Sequence, residues 1–298
     1  IGAASKAVPG AAGETSMHLA YRGVRDMTNA DGPAGLRLFP HFRTDAEGNV
    51  MPGAQAIGGA AETYGEKQPG ETDYYQYCTA IPIAWLLASS WDMELIEKCG
   101  DIVGAEMETF GVRVWLAPGM NIHRNPLCGR NFEYFSEDPL LAGKCCAADV
   151  RGIQSQKIAA SVKHFACNNR ESNRFECDSR VSERALREIY LRGFEICVRE
   201  ADPWTIMSSY NAINGHRASE NHELLEDILR GEWGFKGMVT TDWWTRAEHY
   251  KEIKAGNDIK MGTGFPDRVK KAIELGQLGR PELEHCARRV LELILKID

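Results

Sequence analysis

The chain has 298 residues, of which 43% are hydrophobic and 26% are charged, a composition that allows a sizeable folded core. Its formal net charge is −7 and no basic run contains interleaved aromatic residues, which argues against nucleic acid as a partner. No stretch has the length and apolarity of a membrane span, and no signal-peptide pattern is present, which argues against a membrane partner as well.

The cysteines are nine in number, without CxxC pairs or framework spacing. An odd count inside apparent helices and strands predicts reduced, packed thiols and therefore a cytoplasmic protein without disulfides or zinc. We expect no metal and no cofactor. The nine are Cys78, Cys99, Cys128, Cys145, Cys146, Cys167, Cys177, Cys197 and Cys286.

The first 20 residues include a Gly/Ala-rich stretch that begins at Ile1 rather than at Met. Such composition is typical of a connector, so we expect a connector-like lead-in at 1–20 within a single domain covering 1–298. Two explanations stay open: residues have been cut away upstream, or the chain is one part of a longer polypeptide.

In chain order, short apolar runs alternate with segments of helical period. Two of the helical segments, 93–110 and 182–201, are clear, and the second begins with Ser182 as a plausible N-cap. Alternation of this kind predicts a parallel sheet with crossover helices, either doubly wound or closed into a barrel. The predicted strands lie within 79–86, 112–118, 159–167, 203–210, 237–244 and 257–262.

Residues able to do chemistry follow most of these runs, among them Asn121, His123, Tyr210 and Asn211. Barrel enzymes gather catalytic groups at the carboxyl ends of several strands. No GxGxxG or GxxxxGK[ST] motif follows a strand, which removes the usual nucleotide sites of doubly wound sheets. We therefore predict an α/β fold of the (β/α)8 TIM-like barrel type, with room for irregularity.

The run GFKGMVTTDWW ends a small, β-branched strand in Asp242, followed at once by Trp243 and Trp244. An aspartate after a strand often caps the next helix, and this purely structural role stays open. Indole rings, however, stack on the C–H-rich faces of sugars and also carry a hydrogen-bond donor. An acid beside such a platform suits attack on an anomeric carbon.

The run SVKHFAC places Lys163 and His164 at the end of a buried strand. Adjacent strand residues point to opposite faces, so both converge on one site only if the strand twists or bulges. His164 alone is as readily a satisfied core histidine, but a buried lysine needs a partner. Together the two donors could grip vicinal hydroxyls of a sugar.

Two further candidates are weaker. Arg130 lies in a loop rich in Asn, Pro and Gly, where it could simply brace Glu133, Glu137 or Asp138. Asp31 lies in a DGP turn signal and could be no more than a turn acid.

Taken together, the segments resemble the family 3 glycoside hydrolases over essentially the whole chain. The matching segments are VPGAAGET, ADGPAGLRL, APGMNIHRNPLCGRNFEYFSEDPLLAG, VKHFACNN, MSSYNAING and GEWGFKGMVTTDWW. The resemblance implies a barrel that holds the terminal sugar, with Asp242 as the nucleophile of a retaining β-glucosidase. It also implies sugar-binding or pocket-wall roles for Asp31, Arg130, Lys163, His164, Met207, Tyr210 and Trp243. From Lys163 and Arg130 we expect a lowered pKa of Asp242.

Retaining hydrolysis needs a second carboxyl group as acid/base. In two-domain members of the family, an α/β-sandwich domain supplies it, and no such domain is recognisable in this chain. The run KHFACNNRESNRFECD also lacks the KHFPGHG…DSH pattern of the N-acetylglucosaminidase branch. We therefore expect a β-glucoside or short oligosaccharide as substrate and an α/β-sandwich domain of the parent polypeptide as partner.

Three alternatives remain. A β-xylosidase would share this mechanism. A non-catalytic carbohydrate-binding barrel would keep the sugar-gripping residues but has no need of Asp242. A metal-dependent barrel hydrolase would show an HxH motif or grouped His and Asp at strand ends, and the eight histidines do not form one.

Overall fold

The fold is that of a computed structural model, which describes residues 8–15, 17–55 and 62–298. Its strands in chain order are β1 Gly13–Glu14, β2 Thr28–Ala30, β3 His41–Thr44, β4 Ala54–Gln55, β5 Glu62–Thr63, β6 Thr72–Tyr75, β7 Val114–Trp115, β8 Ala159–Phe165, β9 Asp178–Ser179, β10 Thr205–Ser208, β11 Ala212–Ile213, β12 His216–Arg217 and β13 Met238–Thr241.

The α-helices are α1 Ala84–Ser89, α2 Met93–Phe110, α3 Pro139–Ser155, α4 Glu183–Ala185, α5 Arg192–Ala201, α6 His249–Ala255, α7 Pro266–Glu274 and α8 Arg280–Ile297. Short 3₁₀ helices cover Met17–Arg22, Asn131–Glu133 and Ala218–Glu220, and π-helical segments cover Leu186–Tyr190 and Glu223–Glu232.

The main sheet has the order β1-β2-β7-β8-β10-β13. β1 pairs antiparallel with β2, and the remaining pairs are parallel. A parallel bridge between Thr240 and Ile259 extends the sheet beyond β13. This curled, parallel-rich sheet with flanking helices confirms the predicted α/β class, and its antiparallel first strand is an irregularity of the barrel.

The two faces of the sheet bury different sets of side chains. The outer face, with Trp115, Ala160, Val162, Ile206 and Val239, packs in one cluster with α1, α2, α3, α5 and the π-helical segment Glu223–Glu232. The inner face forms a separate apolar cluster that includes residues of the last helix, α8, namely Leu293, Ile294 and Ile297. The inner cluster therefore joins the strands to the chain's C-terminal helix. Its strand members include Val114, Leu116, Ala159, Met207 and Met238.

Most predicted elements are confirmed. β7, β8, β10 and β13 lie within the four predicted runs, the Ile259 bridge lies within 257–262, and α2 has the predicted bounds. The strand predicted at 79–86 is wrong, because α1 begins at Ala84. A short apolar run of this kind does not distinguish a strand from a buried helix. β2 was missed because it has only three residues.

The segment predicted as one helix at 182–201 is interrupted. The Ser182 side chain accepts a hydrogen bond from the Ala185 amide (3.3 Å), as expected of an N-cap. The π-helical turn at Leu186–Tyr190 then shifts the register of the apolar face. Ile189 is consequently 40% exposed, whereas Phe194 is buried.

The lead-in predicted at 1–20 is only partly described, because residues 1–7 and 16 lie outside the described residues. Within the described part, Gly13–Glu14 already pairs with β2.

Candidate active site

Polar side chains from five strands meet at the carboxyl edge of the sheet. Asp31 follows β2, Asn121 lies beyond β7, His164 is the penultimate residue of β8, Tyr210 follows β10 and Asp242 follows β13. These five strands are consecutive neighbours in the sheet, so their ends are close together. This is the edge at which parallel barrels carry their active sites.

Asp242 lies at the centre of this group and is only 7% exposed. Its Oδ1 atom accepts a hydrogen bond from the Trp243 amide (2.7 Å). Its Oδ2 atom is buried and accepts no hydrogen bond of normal geometry from the described residues, with His164 Nε2 3.7 Å away. The next helix, α6, has Glu248 at its N-cap position, so Asp242 does not cap a helix.

The pKa of Asp242 corrects one expectation. Burial raises this pKa above its ordinary value, and the lowering effects of Arg130, the Trp243 amide, Tyr210 and Lys163 only partly offset it. The cations act in the expected direction, but the loss of hydration is the larger effect because the carboxylate is enclosed. Lys163 and Arg130 therefore lower the pKa of Asp242 as expected, and the net upward shift comes from burial, which the sequence-based expectation did not include.

Lys163 is 3% exposed and has the partners that a buried ammonium requires. Its Nζ lies 2.8 Å from Asp31 Oδ1 and 3.8 Å from Glu133 Oε2. Asp31 also pairs with Arg37 (2.9 Å). Burial raises the pKa of Asp31, but Lys163, Arg37 and the Gly32 amide together lower it to about 2. Asp31 is thus a charged member of the site.

His164 is brought to the same side as Lys163 by an irregularity in β8, as the sequence required. The β8–β10 register pairs Val162 with Ile206 but Phe165 with Ser208, so one strand carries an extra residue. The Asn121 side chain then holds the His164 backbone twice: it accepts from the amide (2.8 Å) and donates to the carbonyl (2.9 Å).

The His164 ring is enclosed by polar groups. Its Nδ1 atom lies 3.1 Å from the hydroxyl of Tyr134, which also receives a hydrogen bond from Asn168 Nδ2 (3.2 Å). Burial lowers the pKa of His164 well below its ordinary value, and the charges of Arg130 and Lys163 add to this effect. The imidazole is therefore neutral at pH 7.

Arg130 stabilises its own loop, as the purely structural alternative predicted. Its Nε donates to Glu133 Oε1, and its Nη1 lies 4.0 Å from Glu171 Oε1. Its positive charge nevertheless acts on Asp242, where it is the largest of the effects that lower the pKa. The loop contact and the electrostatic role are therefore compatible.

Tyr210 is 6% exposed and lies beside Asp242. Its ring contacts Phe175 (centroids 4.6 Å apart) and the Arg174 guanidinium (4.6 Å). Burial and the neighbouring Asp242 carboxylate raise the pKa of its hydroxyl. The phenol therefore stays protonated and can donate a hydrogen bond beside the acid.

Met207 and Trp243 belong to the apolar inner-face cluster, Met207 fully buried and Trp243 packed against it. Trp244 behaves differently from Trp243, because it is 61% exposed and its ring lies against Gly262. A Cβ atom at position 262 would lie 2.6 Å from the indole, so this close approach requires glycine. Of the two adjacent indoles, the structure packs only Trp243 into the cluster that contains Met207.

Several site residues were not singled out as site candidates from the sequence. Glu133 and Tyr134 are buried partners of Lys163 and His164, and Glu171 accepts from both Asn168 (3.2 Å) and Arg174 (3.2 Å). Glu133 and Tyr134 belong to the segment that carries Arg130, which was the available signal. Nothing in the local sequence marks Glu171.

Among the residues that the structure describes, no three His, Cys, Asp or Glu side chains are grouped so that they could hold a metal ion. Within the same residues, no helix is both long and apolar enough to cross a membrane.

Comparison with known proteins agrees with this geometry. The profile described as "Glycosyl hydrolase family 3 N terminal domain" matches residues 65–293. Beta-glucosidase A of Butyrivibrio fibrisolvens is 51% identical over 88% of this chain. An exo-alpha-(1->6)-L-arabinopyranosidase of Bifidobacterium breve is 45% identical over 76% of this chain.

Among solved structures, beta-glucosidase 3B of Thermotoga neapolitana in complex with alpha-D-glucose superimposes with a TM-score of 0.84. It is 42% identical, and the match covers 98% of this chain and 38% of that one. The chain thus belongs to glycosyl hydrolase family 3 and corresponds to the family's N-terminal, barrel-type domain. It spans 28% and 30% of the lengths of the two relatives named above.

Proposed function

We propose that this chain is the sugar-binding part of a retaining exo-β-glucosidase that releases terminal, non-reducing β-D-glucosyl residues. Asp242 attacks the anomeric carbon and forms a covalent glycosyl–Asp242 intermediate, which water then hydrolyses. Support comes from relatives named β-glucosidase and from a similar structure that contains glucose.

The observation that carries the proposal is the Oδ2 atom of Asp242. Its buried Oδ2 accepts no hydrogen bond of normal geometry, although the Tyr210 hydroxyl interacts with the same carboxylate, and native proteins keep such under-satisfied groups mainly where they act. Its neighbours His164 and Tyr210 are a neutral imidazole and a protonated phenol. These two uncharged groups can donate hydrogen bonds to the nucleophile and to sugar hydroxyls without neutralising the negative charge of the carboxylate.

The sugar-binding residues extend from this acid. Asp31 and Lys163 form an ion pair at the site, with an acceptor and a donor that can serve neighbouring hydroxyls of one ring. Met207 and Trp243 supply an apolar wall for the C–H face of the sugar.

The acid/base group comes from outside this chain in our proposal. Retaining enzymes place the second carboxyl group roughly 5 Å from the nucleophile. The described acids of this site are already paired, Asp31 with Lys163, Glu133 with Arg130 and Glu171 with Arg174. An ion-paired carboxylate is a poor proton donor at neutral pH, which favours supply by an α/β-sandwich domain of the parent polypeptide.

A mechanism-based 2-deoxy-2-fluoroglucoside, followed by peptide mapping, tests the nucleophile. We expect label on the TTDWW peptide and no label in Asp242→Asn. Asp149→Asn is the matched control, because Asp149 is another buried aspartate but lies in α3. Label on any other peptide would refute the assignment of Asp242.

The acid/base proposal has a separate test. An aryl glucoside with a good leaving group needs little protonation, whereas cellobiose needs a general acid. The isolated chain should therefore form the covalent adduct with the aryl substrate but hydrolyse cellobiose far more slowly than the parent protein. Equal turnover of cellobiose by the isolated chain would contradict external supply.

One second candidate concerns the sugar itself. The arabinopyranosidase relative shows that close similarity extends to proteins named for a pentopyranoside, and the β-xylosidase alternative also concerns a sugar without the hydroxymethyl group of glucose. Values of kcat/KM for aryl β-D-glucoside, β-D-xyloside and α-L-arabinopyranoside decide between them. We expect the glucoside to be preferred.

The non-catalytic alternative makes a different prediction for these experiments: sugar binding without any covalent label.

For the location of the protein, we propose a reducing, cytoplasmic compartment. The nine cysteines are free, and Cys146 and Cys197 form no disulfide although the Cys146 thiol donates a hydrogen bond to Cys197 Sγ at 3.5 Å. Thiol titration of the protein purified without reductant should find all nine reduced.

A further inference from the structure

A second cavity lies beside the candidate active site, between α1 and the long loop that follows β7. Its volume is about 520 Å³, within the range of small-molecule sites. The same loop carries Asn121, Arg130 and Tyr134 of the active site, whereas the cavity is lined by other residues of that loop and by α1. It is therefore a neighbour of the Asp242 site and not part of it.

Two tryptophans form one side of this cavity. Trp85 is 58% exposed and Trp91 is 75% exposed, unusually high values for the largest side chain. Trp91 has a φ of 57°, in the left-handed region that L side chains disfavour. Trp91 directly follows the C-cap of α1 and its amide donates to the Ala88 carbonyl (3.2 Å), so the helix end accounts for this backbone conformation. The helix end does not involve the indole, which faces solvent.

The opposite side of the cavity is polar. Arg124 and Glu137 line it, both are exposed, and neither side chain forms an ion pair within the described part of the chain. Asn131 and His123 add further hydrogen-bonding groups, with the His123 ring edge-on to Trp85 (centroids 6.3 Å apart).

We infer that this cavity is a second carbohydrate-binding site that takes a neutral oligosaccharide. Indole faces stack on the C–H faces of sugar rings, and the guanidinium, carboxylate and amide groups opposite can bind the hydroxyls at the ring edges. One cation and one anion give the wall no net preference for a charged ligand. The loop that lines this cavity also carries Arg130 and Tyr134 of the Asp242 site, so an oligosaccharide bound here is held by the same loop as that site.

The test uses the Asp242→Asn variant of the full-length parent protein, which should not hydrolyse the probe, labelled with 5-fluorotryptophan; seven of the labelled tryptophans lie in this chain and give ¹⁹F signals. Signals are assigned by Trp85→Phe and Trp91→Phe, and the probe is cellotetraose. We expect saturable shifts of the Trp85 and Trp91 signals with a Kd in the range of about 0.1 to 1 mM. Trp85→Ala should weaken the binding reported by Trp91 at least about tenfold.

Tyr77→Ala is the matched control, because Tyr77 is an aromatic residue that is 74% exposed and does not line the cavity. This variant should leave the affinity unchanged. The Trp243 signal, assigned by Trp243→Phe, reports the Asp242 site separately, so failure of the proposed glucosidase function would leave the Trp243 signal unshifted without affecting the shifts of Trp85 and Trp91.

Two results would overturn the inference. One is the absence of shifts at Trp85 and Trp91 with about 10 mM cellotetraose. The other is protection of both signals from a water-soluble gadolinium chelate in the full-length protein, which would show that another part of the polypeptide covers the indoles.

Discussion

The Nε2 atom of His164 lies 3.7 Å from Oδ2 of Asp242, while Nδ1 of the same ring lies 3.1 Å from the Tyr134 hydroxyl. The burial-lowered pKa of His164 leaves one proton to be shared between its two ring nitrogens. The Tyr134 hydroxyl accepts a hydrogen bond from Asn168 Nδ2, and the nearer acceptor for its own proton is His164 Nδ1 at 3.1 Å rather than the Asn168 carbonyl at 3.5 Å. We therefore predict that the His164 proton resides on Nε2 and points toward Asp242.

Tyr134→Phe should loosen this arrangement. Loss of one neutral hydrogen bond costs about 1 kcal/mol, so we expect kcat/KM on an aryl glucoside to fall about fivefold. The ¹⁵N spectrum of the imidazole is the more direct measurement. The wild type should show His164 protonated on Nε2, and the variant should show a mixture of both tautomers. An unchanged tautomer in the variant would exclude a positioning role for Tyr134.

Asp149 predicts an unusual dependence of stability on pH. This buried aspartate of α3 has an Oδ1 atom without a hydrogen-bond partner among the described residues, and burial raises its pKa to about 7. Because the folded state binds the proton more tightly than the unfolded state, ionisation of Asp149 opposes folding as pH rises from about 4 to above 7. The shift corresponds to roughly 4 kcal/mol as an upper value.

Asp149→Asn removes this ionisation. We expect urea unfolding to show the variant gaining stability relative to the wild type as pH rises from 4 to 8, by about 2 to 4 kcal/mol in total. A difference between the two proteins that does not change with pH would show that Asp149 has an ordinary pKa.

Lys260 and Glu252 form a buried ion pair that holds the segment after Asp242. Lys260 Nζ lies 2.6 Å from Glu252 Oε2 and 2.7 Å from Thr245 Oγ1, and both charged side chains are at most 2% exposed. Lys260→Met leaves the carboxylate buried and uncompensated, so we expect a loss of about 3 to 5 kcal/mol in unfolding free energy.

The double variant Lys260→Met/Glu252→Gln provides the control. It removes both charges, and we expect it to be about 2 kcal/mol more stable than Lys260→Met alone. Additive losses in a double-mutant cycle, measured by urea unfolding, would contradict direct coupling of the two side chains.

Asp31 predicts the opposite pH dependence from Asp149. Its pKa is lowered to about 2 in the folded protein, so its ion pair with Lys163 stabilises the fold fully above about pH 4. That contribution, about 2 kcal/mol, is lost as pH falls from 4 to 2. The stability difference between the wild type and Asp31→Asn should therefore be largest at pH 5 and shrink toward pH 2.5.

The sequence predicted those parts of the structure that depend on local pattern. The period of 93–110 predicted the bounds of α2, and the apolar runs predicted β7, β8, β10 and β13. The need for Lys163 and His164 to share one side predicted the irregularity in β8. The short apolar run at 79–86 was misassigned because helix and strand bury such a run equally well.

The candidate site likewise contains residues that the sequence predicted and residues that it did not. Strand-end position marked Lys163, His164, Tyr210 and Asp242, because parallel strands bring their carboxyl ends to one edge whatever the details of packing. Asp31 was marked only by the family resemblance, because the short strand β2 before it was missed. The sequence by itself therefore determined the family and the edge of the sheet, and it predicted Asp242 as the nucleophile.

Only the tertiary structure decided the direction in which the pKa of Asp242 shifts and the identity of its neighbours. The pKa of Asp242 is a sum of burial and of charges contributed by residues far apart in the chain, and the sequence supplied the cations without the enclosure that outweighs them. Tyr134 and Glu133 reach His164 and Lys163 because a loop folds back over the strand ends. Hydration and long-range contacts are properties of the assembled fold, so no local pattern contains them.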